Sequence, residues 1–173
     1  GERVVVTATA TVRADFAPGR YYLGVIADTD GAVTEQDEGN NIRRNIQQVV
    51  VRDVAPDFFL SEVVAPRAAA PGERLTIQRL IENGGNAGGT GAYAILLVPV
   101  GGASADGVEI GRGMITLAAS AAGDGVDTVR LPTNVPAQAY EVEYVLDPDG
   151  LVDELEERNN TLRAVATLTV EQP

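Results

Sequence analysis

Residues 21–41 and 140–160 are near-copies of one another, reading YYLGVIADTDGAVTEQDEGNN and YEVEYVLDPDGLVDELEERNN. At an offset of 119 residues, with no gap, Asp28, Asp30, Gly31, Val33, Glu35, Glu38, Asn40 and Asn41 fall on Asp147, Asp149, Gly150, Val152, Glu154, Glu157, Asn159 and Asn160. Solenoid units run only about 20–50 residues, so a period this long is a domain and not a solenoid turn. A chain of 173 residues holds one full period and part of a second. By the same offset Gly1 corresponds to Ser120, which makes residues 1–53 the latter half of a unit that residues 57–173 show whole. Residues 54–56 are then a short linker, and Pro56 stops strand pairing where the second unit begins. The chain reads as a piece of a longer protein.

The local pattern is that of strands. Residues 4–12 (VVVTATATV) alternate, Pro18-Gly19 in the stretch 15–20 is a turn signal, and Tyr21, Leu23, Val25 and Ala27 alternate with Tyr22, Gly24 and Ile26. Residues 28–41 are a polar loop, and 42–51 a closing strand. In that strand Ile46 and Val49 differ in parity, which predicts a bulge or a two-faced strand. Seven strands are predicted in the second unit: 58–64, 74–83, 92–100, 108–115, 127–131, 140–146 and 161–170. Turn chemistry separates them, including Pro71-Gly72, the glycine-rich stretch 84–91, Gly101-Gly102 and Asp147–Gly150. In 140–146 the residues Tyr140, Val142, Tyr144 and Leu146 share one face and Glu141 and Glu143 the other, as in an antiparallel sheet with one wet face. The helical period is confined to a weak trace at 152–157, too short for a stable helix. The fold class predicted is all-β, an immunoglobulin-like antiparallel β-sandwich in tandem repeat.

Composition excludes several functions. All thirteen basic residues are arginine and the net charge is −12, so the surface repels phosphate and lacks the basic stripe that nucleic acid requires. Cysteine is absent, which removes disulfides and thiolate metal sites. No stretch approaches the ~18 apolar residues of a membrane span, so membrane insertion is not expected in this segment. Without histidine, cysteine or lysine, Ser61, Ser104 and Ser120 have no ordinary base to activate them. A carboxylate pair could serve a glycosidase, but solvated acidic loops are far commoner, and the expectation is a protein that is not an enzyme.

Carboxylates concentrate in the two copied loops: Asp28, Asp30, Glu35, Asp37 and Glu38 in one, Asp147, Asp149, Glu154, Glu156 and Glu157 in the other. Oxygen-only clusters select calcium, which takes six to eight oxygens. Asp28, Asp30, Glu35, Asp147, Asp149 and Glu154 are the candidate ligands, although the spacing is not that of an EF-hand. The other reading is architectural. Asp-x-Asp-Gly makes a turn in which the first aspartate bonds forward to backbone amides, and the two asparagines tie the loop to backbone groups. That turn is the commoner use of such a pattern. The stretch 83–91 (NGGNAGGTG) lacks the helix and lysine of a phosphate cradle and is expected to be a flexible inter-strand loop. Tyr21, Tyr140 and Tyr144 fall on the core-facing parity; Tyr22 alone points outward, a poor platform for surface glycans.

Pro56-Asp57, ENGGNAG at 82–88, LAASAAGDGVDTVRLP at 117–132 and the D-x-D-G-x-V-x-E…NN pattern at 147–160 together resemble CARDB, the cell-adhesion-related domain found in bacteria. The resemblance covers 56–170 as one whole copy and 4–51 as the latter half of another. It implies an immunoglobulin-like sandwich, commonly in tandem, in secreted or surface-exposed bacterial proteins. Ser120-Ala121 stands where the family usually has a tight glycine turn, and Gly39 and Arg158 differ between the copies. The function expected is a non-catalytic extracellular module: stalk, spacer, adhesive surface or filament subunit, with like repeats or like subunits as partners. Half a sandwich leaves an open edge and an uncovered apolar face. Its missing strands belong either to the same chain outside these residues or to a neighbour that donates them. The alternative function is a calcium- or carbohydrate-binding accessory module of a secreted enzyme.

Overall fold

The computed structural model describes residues 4–13 and 16–171. It divides into two compact units, Gly1–Asp53 and Val54–Pro173. In the first unit, β1 (Gly19–Ile26) and β2 (Ile42–Val51) form an antiparallel hairpin. Its register slips between the pairs Tyr22–Gln48 and Gly24–Arg44, so Leu23 stands opposite Asn45, Ile46 and Gln47. This is the bulge that the conflicting parities of Ile46 and Val49 predict. Asp15, where the predicted turn before β1 begins, lies outside the described residues.

The predicted strand at 4–12 does not form: its residues belong to no strand and their side chains are exposed, Val5 by 93%. Alternation supplies a face but not a partner, and a strand exists only where another strand takes its hydrogen bonds.

The second unit is an antiparallel sandwich of the immunoglobulin-like kind. One sheet holds β3 (Phe58–Val64), β5 (Arg74–Asn83) and β8 (Ala122–Arg130), in the order β3-β5-β8. The other holds β4 (Ala68–Ala69), β6 (Gly89–Pro99), β7 (Val108–Leu117), β9 (Ala139–Leu146) and β11 (Leu168–Val170), in the order β4-β11-β9-β6-β7. The strand β10 (Thr161–Arg163) also pairs with β9. All pairings are antiparallel except the short β11–β4 contact. Leu75, Ile77 and Ile81 of β5 meet Tyr93, Ile95 and Leu97 of β6 and Val142 and Tyr144 of β9 in the core between the sheets. Period-two alternation of apolar residues is what lets each strand fill one side of that core.

Some boundaries differ from expectation, β6 beginning at Gly89 where a strand from 92 is predicted. The predicted strand 161–170 is two strands, because the register against β9 slips by two residues between Arg163 and Leu168. The slip lies at the place in the period where β2 bulges. The strand predicted to start at Asp127 starts at Ala122, its early half disguised by Gly123 and Gly125. At Gly125 a Cβ would come within 2.8 Å of the Arg79 guanidinium, so a larger residue there would push that group from its place beside Asp127. The trace of helical period at 152–157, too short for a stable helix, forms none, as expected.

A polar tie crosses the core. Asp127 of β8 faces inward and accepts hydrogen bonds from Tyr93 Oη (2.7 Å), Tyr144 Oη (2.8 Å) and Arg79 Nε (2.9 Å). The three donors offset the cost of taking a carboxylate out of water, and they stitch the two sheets together.

Candidate functional site

The copied loop of the second unit is built on Asp147, which adopts a left-handed conformation (φ 39°). Its carbonyl accepts from Gly150 N, while its carboxylate accepts from Leu151 N and Val152 N, each at 3.0 Å. Gly150 (φ 62°) completes the turn with the positive φ that glycine adopts without strain. Farther on, Glu154 N donates to Glu157 and Arg158 N to Glu156. The first unit repeats each of these bonds at the matching positions. Asp28 (φ 47°) accepts from Gly31, Ala32 and Val33, Glu35 N donates to Glu38, and Gly39 N to Asp37. Tyr21 and Tyr140 both donate their hydroxyls to the carbonyl four residues earlier, Ala17 and Pro136.

In the second unit this loop grips the chain segment that opens β3. Leu155 N donates to Pro56 O (3.0 Å), Phe58 N donates to the Glu154 carboxylate (2.6 Å), and Asn159 Nδ2 donates to the Asp57 carboxylate (2.7 Å). The second Glu154 oxygen takes Asn160 Nδ2 at 2.8 Å. Partial burial pushes the Glu154 carboxyl above the usual carboxylate range; the bonds from Phe58 and Asn160 pull back without cancelling the push.

The glycine-rich stretch holds the same segment from the other side, so the flexible loop expected there is corrected to a fixed one. Asn83, 1% exposed, accepts from Asp57 N and Gly85 N and donates to Ala87 O and Ala118 O. Gly84 N donates to Asp57 O, Ala87 N to Ala55 O, and Ala55 N to Asn86. A Cβ on Gly85 would lie 2.4 Å from Ala55 O, so the close approach of two backbones explains the glycine.

The candidate ligands are thus placed as follows. Asp149 does not turn toward Asp147 but pairs with Arg112 at 2.8 Å. Both oxygens of Asp147 and of Glu154 are engaged by the bonds given above. In the first unit, Asp28 and Glu35 come together with Glu38, one oxygen of each within 4.8 Å of the others, and Asp30 stays outside. Among the described residues this is the one close group of three carboxylates. Tyr22 is exposed as expected, but Arg44 lies over its ring, 4.9 Å from the centroid, and Gln48 bonds its hydroxyl. Sequence reasoning missed Asn83 and the partners of Asp57. Their signal was present in the ENGG run at 82–85 and the Pro56-Asp57 dipeptide but points to a turn and a linker until the two are seen to meet.

A two-sheet sandwich whose first strand is clamped by a glycine-rich loop and an Asp…Asn-Asn loop defines a class of β-module. The CARDB family model matches residues 55–164, and the chain belongs to that family. Among solved structures it is similar to the CARDB domain of a Pyrococcus furiosus protein, crystallised in complex with di-metal ions. That match has 18% identity and a TM-score of 0.51 over 70% of this chain and 100% of that one. The solution structure of the same domain matches at 18% identity and a TM-score of 0.50, over 68% and 98%. A Methanosarcina acetivorans domain, provisionally described as part of a cell surface protein, matches at 22% identity and 0.49, over 68% and 93%. No match was found among curated proteins.

Proposed function

We propose that the chain is a non-catalytic structural module of an extracellular or surface protein, in which CARDB-type sandwiches follow one another in tandem. One observation carries the reading: the residues that make the sequence distinctive are consumed in building the fold. Asp147 spends both carboxylate oxygens on backbone N–H groups, Glu154 spends its two on Phe58 N–H and Asn160 Nδ2, and Asn159 gives its Nδ2 to Asp57, while the Oδ1 atoms of Asn159 and Asn160 are buried without a partner among the described residues. A stalk or spacer needs this use of polar groups, whereas a catalytic centre would leave some of them facing a cleft. Tandem repetition is supported by the matching turn bonds of Asp28 and Asp147 and by the shared register slip. The acidic surface, with a net charge of −12, keeps an array of such units soluble.

The experiment is a hybrid in which residues 54–119 are followed directly by residues 1–53. If the first unit is the latter half of the same domain, the hybrid unfolds in one cooperative transition. A molten or aggregated hybrid removes the tandem reading. Protease shaving of intact cells that leaves the parent protein untouched removes the surface assignment.

A second reading, binding of a divalent cation, is favoured by the grouping of Asp28, Glu35 and Glu38 and fits the di-metal complex of the Pyrococcus furiosus domain. Calcium at a hundred times its dissociation constant would stabilise the protein by about 2.7 kcal/mol. A calorimetric titration with calcium, repeated on Glu35→Ala, decides it: no heat, or heat that the substitution leaves unchanged, removes the site.

A further inference from the structure

The edge strands of the second unit are not alike. β3 skips Ser61 in its pairing with β5, and β7 skips Ile110 in its pairing with β6, so both edges are bulged. Bulges twist an edge away from a newcomer. β8 pairs with β5 over all nine of its residues without a slip, and among the described residues no strand takes its other edge. It holds neither proline nor lysine. Its outward residues, Ala122, Asp124, Val126, Thr128 and Arg130, are exposed, Val126 by 63%. Two arginines beside this edge are incompletely matched. Arg130 stands directly opposite Arg74 of β5, an arrangement in which like charges repel. Inside the sandwich the Arg79 guanidinium lies over Gly125, and its Nη1 is buried with no hydrogen-bond partner among the described residues.

We propose that this edge is a homodimer interface, at which two copies of the chain pair β8 with β8 in antiparallel register about a twofold axis at Val126. Strand addition draws affinity from backbone hydrogen bonds and specificity from alternate side chains, and the side chains of β8 fit their own copy. The register sets Val126 against Val126 of the partner, Asp124 against the partner's Thr128, and Gly125 against the partner's Asp127. Asp124 then has the partner's Arg130 on its diagonal, within reach of a long side chain, and supplies the carboxylate that the Arg74 and Arg130 pair lacks. An inward charge on an edge strand ordinarily keeps other strands away. Here each Asp127 meets a glycine beneath the guanidinium of the partner's Arg79, whose Nη1 needs an acceptor. Asp127 already takes three donors, and a carboxylate accepts about four. An axis at Asp127 instead would set two carboxylates side by side, and a slip of one residue would set outward faces against inward ones. The contact is isologous and closes with two copies. It adds a lateral partner to the structural module and does not depend on tandem repetition.

The test is sedimentation equilibrium of the chain in about 0.15 M salt, which screens the net charge of −12 on each copy beyond about 8 Å. A monomer–dimer equilibrium is expected. Val126→Lys puts two like charges on the axis and should weaken it about tenfold or more. Asp124→Arg and Arg130→Asp should each weaken it about fivefold, since every contact occurs twice across the axis, and the two together, which exchange the charges, should restore it. The chain has no cysteine, so Val126→Cys should cross-link two copies under a mild oxidant. Thr76→Cys, exposed on the same outer face but one strand in from the edge, should not. All these side chains are exposed, so the fold of each copy is not at stake. A chain that stays monomeric at about 1 mM, the weak end of specific association, leaves the edge to some other protein and overturns the inference. So does a dimer that Val126→Lys leaves intact, one that the charge exchange fails to restore, or one in which Val126→Cys does not cross-link.

Discussion

The Glu154 carboxylate accepts the Phe58 N–H at 2.6 Å, joining residues 96 positions apart in the chain. That bond converts an acidic loop into a clasp on the strand that opens the sandwich. Removing it with Glu154→Ala leaves the Phe58 N–H and Asn160 without their acceptor. We expect a loss of about 1.5–3 kcal/mol in urea unfolding, the range for a hydrogen bond to a charged group. Hydrogen exchange should quicken at Phe58 before it does at Ile77, in the centre of the core.

The same carboxyl sets a pH dependence. Burial raises its folded-state pKa, so the folded protein holds a proton that the unfolded chain has already released. Stability from this group is full below the unfolded value and is lost as pH rises through the folded one. Glu154→Gln cannot titrate. The difference in melting temperature between native protein and Glu154→Gln should therefore move in favour of the native protein as pH falls from 7 toward about 4, the ordinary glutamate range.

The tie through Asp127 makes a second prediction. Asp127→Ala strands the Tyr144 hydroxyl and leaves Tyr93 and the Arg79 guanidinium with only each other between the sheets, at a cost of about 3 kcal/mol. At the alkaline end, burial and the bond to Asp127 push the Tyr144 hydroxyl far above its ordinary value. The unfolded chain loses that proton near pH 10 while the folded one keeps it, so stability falls as pH climbs past about 10. Urea midpoints measured from pH 8 to 11 should show a shallower alkaline decline in Tyr144→Phe.

Ser120 holds the turn between β7 and β8 at φ 57°, a left-handed conformation that costs an ordinary residue about 1 kcal/mol or more. Ser120→Gly removes that cost and adds flexibility to the unfolded chain. A net gain of about 0.5–1 kcal/mol in stability is expected in thermal melts.

Much of this architecture was legible in the chain. Leu75, Ile77, Tyr140, Val142 and Tyr144 announce their faces by alternation, and the Asp-x-Asp-Gly turn announces its own geometry. What stayed hidden depends on contacts distant in sequence. Nothing local distinguishes the alternation at 4–12, which finds no partner, from that at 74–83, which finds two. Gly123 and Gly125 hide half of β8 because they are chosen for what packs against them. The carboxylate of Asp149 is spoken for by Arg112, and that of Glu154 by a backbone amide from the first strand. Charge composition suggests an ion for such groups; only the fold supplies their partners.

The central claim, that the Asp…Asn-Asn loop acts by clasping the opening strand, is tested most directly by a double-mutant cycle on Asp57 and Asn159, whose side chains meet at 2.7 Å. Unfolding free energies of the native chain, Asp57→Ala, Asn159→Ala and the double variant would be measured in the presence of chelator. A coupling energy of at least about 1 kcal/mol, unchanged by added calcium, is the result expected for two residues in direct contact. A coupling near zero, or one that exists only with calcium, would contradict the clasp.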